Sequence, residues 1–269
     1  MELTSYSLMH ILPAIIAIIC YLTATALQWQ NVNGRSINHM IIRLIGVVAV
    51  ISHGFASYLD LHRPTGIHLE FFSAGSLIGW LVAGLVLLSS LRQKIDNLFI
   101  GIFPLAAITL FFTLFGLDDA TGRHYDAGLV IHILISILAY SIFTLAAFQA
   151  VLLAKQEYQL KHHITKGLLR SLPPLQTMEA LLFEMIWTGL ILLTLSLISG
   201  AIVFDDLFAQ HLVHKTILSI LAWLLYATLL VGRHFLGWRS HKAIRWTVGG
   251  FIVLMLSFFG SKFVVELLL

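Results

Sequence analysis

Charge is what this sequence has least of. Only 11% of its 269 residues are Asp, Glu, Lys or Arg, while 59% are apolar or aromatic. Soluble domains carry about 25% charged residues, and a soluble chain of this length needs such a shell, so a water-soluble globular fold is excluded. Cysteine is nearly absent: a single Cys20 allows no disulfide and no C-x-x-C pair, and without C-x-x-C-H there is no covalent haem attachment point. No P-loop, H-E-x-x-H or Ser-His-Asp pattern is present, which removes the usual signals for phosphoryl transfer and hydrolysis. No stretch alternates polar and apolar residues at period two, so a lipid-embedded barrel is excluded as well. Low-complexity tracts, internal repeats and soluble appendages are not found.

What is there instead is a series of long apolar runs. They cover roughly 8–28, 38–60, 67–91, 98–116, 128–154, 181–204, 212–233 and 245–267. Each is long enough, at 1.5 Å per residue, to cross a hydrocarbon core of about 30 Å. The expectation is an all-α, polytopic integral membrane protein of about eight transmembrane helices, with 1–269 forming a single transmembrane domain. The first run has no basic segment before it and no A-x-A-like site after it, so it reads as a retained helix.

Basic residues orient the spans. With the N-terminus outside, the inner connections hold twelve: Arg35, Arg43, Arg92, Lys94, Lys155, Lys161, Lys166, Arg170, Arg233, Arg239, Lys242 and Arg245. The outer side then keeps four, Arg63, Arg123, Lys215 and Lys262. The positive-inside rule therefore places both termini outside. The net charge of +3 is accounted for by topology, without nucleic acid as a partner. The longest connection, 155–180, mixes Leu168, Leu169, Leu172 and Leu175 with basic residues and reads as a segment lying at the inner membrane surface, a place where another membrane protein can dock. Pro173-Pro174 ends any helix there before the sixth span. Gly75 and Gly79 in the third span are read as small residues that let helices approach.

Thirteen histidines are many for such a chain. His39, His162, His163, His234 and His241 fall in the inner, basic connections and read as interfacial. His10, His53, His62, His68, His124, His132, His211 and His214 fall toward the outer face, several of them inside spans, where an ionisable group is costly and by default a functional candidate. His132 opens a line of polar residues four apart, His132, Ser136, Tyr140 and Thr144, which share one helix face. That face serves either an interhelical hydrogen-bond line or a site. His211 and His214 are three apart at the head of the seventh span, with Lys215 adjacent and Ser219 and Tyr226 roughly along that side. A metal and an anionic ligand fit that group equally well. His53 lies beside Ala49, Gly54 and Ser57, which leave room for a flat ligand. The acidic pairs Asp118-Asp119 and Asp205-Asp206 read as ordinary outer-loop charges. Glu179 and Glu184 open the sixth span and are expected to cap it or pair with loop lysines.

The segments HILISILAYSIFTLAAFQAVLLAKQEYQLK from His132, LLRSLPPLQTMEALLFEMIW from Leu168, LFAQHLVHKTILSILAWLLY from Leu207 and GWRSHKAIRWTVGGFIVLMLSFFGSKFVVELLL from Gly237 resemble the YpjD/HemX-like bacterial inner-membrane proteins of the cytochrome c assembly superfamily, which includes CcmC and CcsA. The resemblance covers most of the chain and is most specific in its second half. It implies a multi-pass protein of the bacterial inner (plasma) membrane that handles haem, held by histidines near the outer face. His132 with Ser136 and Tyr140 resembles the histidine-led, serine- and tyrosine-containing helix of CcsA-like proteins, and Gly237-Trp238-Arg239 resembles their late G-W-R segment. There are departures. None of the six tryptophans falls in an outer loop, no histidine follows the last span, and Val213-His214-Lys215 stands where those chains have Asp-Pro-Lys. The haem-ligase activity of CcsA is therefore not carried over.

What the resemblance implies for this chain is a non-covalent, b-type haem held by a protein that is not an enzyme. Two neutral imidazoles from facing helices can ligate iron axially. His132 and His214 are the first choice for the metal, with His53 and His211 as alternates, Tyr140 on the His132 face, and Lys215 or Arg123 at the rim to meet propionates. Two other readings compete with it: a divalent-cation or proton-coupled transporter or transporter subunit that binds no haem, and a scaffold or regulatory protein acting through the 155–180 loop.

Overall fold

A computed structural model describes residues 2–63, 66–67, 69, 71–92, 95–114, 126–163, 172–204 and 213–260. Its helices are α1 (Glu2–Val32), α2 (His39–Leu61), α3 (Phe71–Ser90), α4 (Phe99–Thr113), α5 (Ala127–Lys161), α6 (Leu175–Val203), α7 (Val213–Leu236) and α8 (His241–Met255). A 3₁₀ turn (Asp96–Leu98) leads into α4, and a π-helical turn (Leu256–Gly260) follows α8. The only strands among the described residues are two-residue segments, His62–Arg63 against Gly66–Ile67. The protein is thus an all-α, polytopic membrane protein. Seven of its helical segments are long and apolar enough to cross a membrane. The expected eighth span corresponds to α8 and its π turn as far as Gly260, with the remainder outside the described residues.

The helix ends follow local chemistry. Asn38 caps α2, its side chain accepting the Met40 N–H at 2.9 Å. Pro173-Pro174 stands immediately before α6, which starts at Leu175 and so opens earlier than its apolar run. Helix α5 continues past its apolar run to Lys161, and there Gln156 donates to the Pro173 carbonyl at 2.8 Å. Residues 164–171, which include the leucines expected at the membrane surface, lie outside the described residues.

The helices form two compact units, α1–α4 and α5–α8. In each, helices that follow one another in sequence pack together and the last packs on the first. The first unit is centred on Tyr21, which meets His53 edge-on (5.7 Å between centroids) and Phe103 at 5.2 Å, with Phe99 stacked on Phe103 at 4.5 Å. Gly79 packs on α4, where an added Cβ would come within 3.4 Å of the Ala106 backbone. In the second unit, Phe143 and Tyr226 stack at 4.0 Å, and a glycine backs each ring, Gly189 behind Phe143 and Gly250 behind Tyr226. Small residues behind large rings let helices approach closely, a main source of packing energy where lipid weakens the hydrophobic drive.

Each unit also holds an arginine–carboxylate pair at the end carrying its basic connections. In the first, Arg43 of α2 grips Asp96 through two bonds, Nε–Oδ1 at 2.9 Å and Nη2–Oδ2 at 3.0 Å. In the second, Arg233 of α7 donates to Glu179 and lies 4.6 Å over the Phe183 ring. Glu179 is therefore paired with a neighbouring helix and not with a loop lysine, while Glu184 is exposed. Asp96→Ala strands the Arg43 guanidinium and is expected to cost about 2–4 kcal/mol, toward the low side for a broken buried pair because the arginine keeps some water. Thermal unfolding of the detergent-solubilised protein should show the loss, with a smaller one for Asp96→Asn.

Candidate functional site

The polar line read along α5 is a real face. His132 and Ser136 meet α6, and Tyr140 donates to the Leu254 carbonyl of α8 at 2.9 Å. Thr144, buried, donates back to the Tyr140 carbonyl at 2.8 Å. The line splits into a tightly packed lower half, Tyr140 and Thr144, and a half-buried upper half led by His132.

The hydrogen bonds around His132 engage one ring nitrogen and not the other. Ser136 Oγ donates to the His132 carbonyl at 2.7 Å, so in its 2.7 Å contact with Ser196 Oγ it accepts. Ser199 Oγ donates to the Ser196 carbonyl at 3.0 Å. With its one proton on that carbonyl, Ser199 is an acceptor for His132 Nδ1, 3.0 Å away. In the neutral imidazole the proton then sits on Nδ1, and the Nε2 lone pair has no protein donor among the described residues. The ring is held as well as oriented. A Cβ at Gly200 would lie 3.1 Å from His132 Cε1, a tight contact, so the glycine lets the imidazole settle closely against α6, and Phe204 closes it edge-on at 5.8 Å. Serine hydroxyls that orient a histidine through one nitrogen and leave the other bare are the arrangement of a metal-ligand imidazole.

The neighbouring start of α7 supplies a cation. Lys215 Nζ lies 5.2 Å over the Phe258 ring, which packs 5.1 Å from Tyr140 on the His132 face. The π turn is tied to the same place: Ser257 Oγ donates to the Lys215 carbonyl at 2.8 Å and meets Ser219 Oγ at 2.8 Å. Helix α7 presents Lys215, Ser219 and Tyr226 on its packed side. His214 belongs to the other side, exposed with Ile217, Leu221 and Leu224. His132 and His214 share no hydrogen bond or ring contact among the described residues. His211, Arg123, His124, His68 and the acidic pairs at 118–119 and 205–206 lie outside the described residues.

His53 occupies a different setting. It is fully buried in the first unit, and both ring nitrogens are engaged, Nδ1 with Tyr21 Oη at 3.2 Å and Nε2 with Ser76 Oγ at 2.9 Å. The space beside Gly54, expected to admit a flat ligand, is filled by the Trp80 indole, whose Nε1 donates to the Val50 carbonyl at 2.9 Å. Gly237 and Trp238 of the G-W-R segment end α7: Gly237 takes a left-handed φ of +62°, and the Trp238 N–H returns to the Gly232 carbonyl at 3.1 Å. No group of three His, Cys, Asp or Glu side chains suited to a metal ion occurs among the described residues.

The clamp on His132 from α6 was not read from the sequence. Its signal is Ser196, Ser199 and Gly200 clustered near the end of an otherwise apolar span.

The model of one protein family, described as cytochrome C assembly protein, matches residues 8–269. The chain belongs to that family. It is 28% identical to the inner membrane protein YpjD of Escherichia coli over 260 residues, 95% of this chain and 98% of YpjD. It is 24% identical to the protein HemX of Brevibacillus brevis over 235 residues, 85% and 86% of the two chains. No solved structure matches it significantly. The chain is a multi-pass inner-membrane protein.

Removing the Ser76 hydroxyl leaves His53 Nε2 buried without its partner. Ser76→Ala is expected to destabilise the protein by about 1–3 kcal/mol, read as a lower unfolding temperature in detergent, without changing any ligand spectrum that depends on His132.

Proposed function

We propose that this protein binds haem non-covalently, as b-type haem, with His132 as an axial ligand, and that it handles haem within the membrane without catalysing a turnover reaction. Membership of the cytochrome c assembly family supports a haem-related role at the family level. The observation that carries the finer reading is the bare Nε2 of His132, left over after Ser199 takes Nδ1.

The residues present fit such a group. A neutral, oriented imidazole is an iron ligand. Phe204, Gly200 and the Phe258 ring give the surroundings apolar character, and Lys215 offers a cation for a propionate. His214, exposed on the other side of α7, does not join His132 in this reading, and His211 lies outside the described residues; Tyr140 lies below His132. When bound, haem would supply a redox-active, ligand-exchanging iron. The protein's part is to hold it: Ser199 fixes the tautomer, Gly200 admits the ring and Lys215 balances the charge.

Titration of the purified, full-length protein with hemin is expected to produce a Soret band. His132→Ala should weaken binding at least tenfold, and Ser199→Ala on the order of tenfold, the usual scale for losing the group that orients a metal ligand. Gly200→Val should displace the imidazole and act like His132→Ala. A protein that stays colourless, or whose Soret band and affinity are the same in His132→Ala, overturns the proposal.

A further inference from the structure

The second unit has a cleft of about 550 Å³ between α7 and α8, at the end opposite His132. Its mouth carries Lys242 and Arg245, both exposed and neither paired with a carboxylate among the described residues. Trp238 and Trp246 form one wall, their rings 5.4 Å apart, and the Lys242 ammonium lies 5.1 Å from the Trp238 ring centroid. The floor is Gly249 and Gly250. These glycines differ sharply. Gly250 is covered by the Tyr226 ring, whereas a Cβ added at Gly249 would meet nothing within 4 Å.

The cleft is therefore amphipathic along its length. Lys242 and Gly249 are seven residues apart in α8, about 10 Å of rise, so cations at one end give way to an open apolar slot at the other. Positive-inside placement puts the cationic end at the inner headgroup layer, where indoles also settle. A ligand matching this gradient has an anionic phosphate at one end and a hydrocarbon chain at the other. A free phosphate satisfies only the mouth and leaves the slot over Gly249 without an occupant.

We propose that this cleft is a binding site for an anionic phospholipid of the inner leaflet, with its phosphate between Lys242 and Arg245 and an acyl chain lying over Gly249 beside the wall of indoles. Basic recesses between transmembrane helices on the cytoplasmic side are suited to such headgroups, and each cation near the surface contributes about 1 kcal/mol. The proposal does not depend on haem binding.

The test uses the full-length protein in detergent, delipidated and then titrated with phosphatidylglycerol, phosphatidylethanolamine or inorganic phosphate, with bound lipid counted by native mass spectrometry. Phosphatidylglycerol is expected to bind at least tenfold tighter than phosphatidylethanolamine, and millimolar inorganic phosphate should not displace it. The double variant Lys242→Gln/Arg245→Gln should lose on the order of 20-fold in affinity for phosphatidylglycerol, two surface charges' worth. Gly249→Leu fills open space, so it should fold normally yet exclude the lipid. Equal binding of the two lipids, full displacement by phosphate, or unchanged phosphatidylglycerol binding in either variant overturns the proposal.

Discussion

Within a hydrocarbon layer a polar side chain cannot fall back on water, and most of this structure can be read as the consequence. An unmade hydrogen bond there costs several kcal/mol, so hydroxyls close on their own helices. Thr25, Ser90, Thr113, Ser141, Thr144 and Thr194 all donate to a carbonyl three or four residues earlier. The larger polar groups cannot do this, and each reaches across to another helix: Trp223 to Thr194, Gln149 to the Met178 carbonyl, Tyr140 to the Leu254 carbonyl. These crossings set which helix faces meet, because a polar group in a span specifies its neighbour more narrowly than a leucine does.

The second constraint is steric and falls on glycine. Trp80 rests on Gly54, Phe143 on Gly189, Tyr226 on Gly250 and Trp238 on Gly232, each so close that an added Cβ would lie within about 3 Å of the ring. The same device recurs at Gly200, where the ring is the imidazole of His132. Ring-on-glycine packing is thus the ordinary way these helices approach, and His132 uses it with a group that also has chemistry. Other helical glycines meet no ring, Gly79, Gly84 and Gly128 among them, and Gly249 has nothing within 4 Å of an added Cβ.

Hydropathy made the membrane architecture legible, because a run of about 20 apolar residues admits few other readings. It misplaced helix ends where helices outrun the apolar layer: α5 reaches Lys161 and α6 begins at Leu175, since the polar residues there carry no hydropathy signal. The His132 face was legible because a four-residue spacing is a geometric statement about one helix. What held that face was not, because Ser199 and Gly200 are distant in sequence and only packing brings them to it. On α7 the sequence left the angle between neighbours open. Adjacent residues on a helix lie about 100° apart, so His214 and Lys215 fall on different sides although they touch in sequence. For Glu179 the sequence showed a carboxylate near a helix start, but not that Arg233 would be its partner.

His53 and His132 show how one residue type answers the same solvent in two ways. At His53 the protein supplies a partner for each nitrogen and excludes water entirely, so the ring is consumed by the fold. At half-buried His132, Ser199 meets Nδ1, and no protein group among the described residues meets Nε2. Leaving a lone pair without a donor is unfavourable in a low-dielectric setting unless something outside the chain completes it. A fold needing only an interhelical link at that position would be served by a single hydroxyl pair, such as Ser136 with Ser196, which is already there. The additional imidazole, held at Nδ1 and packed closely on a glycine, is the feature from which the haem-binding proposal starts.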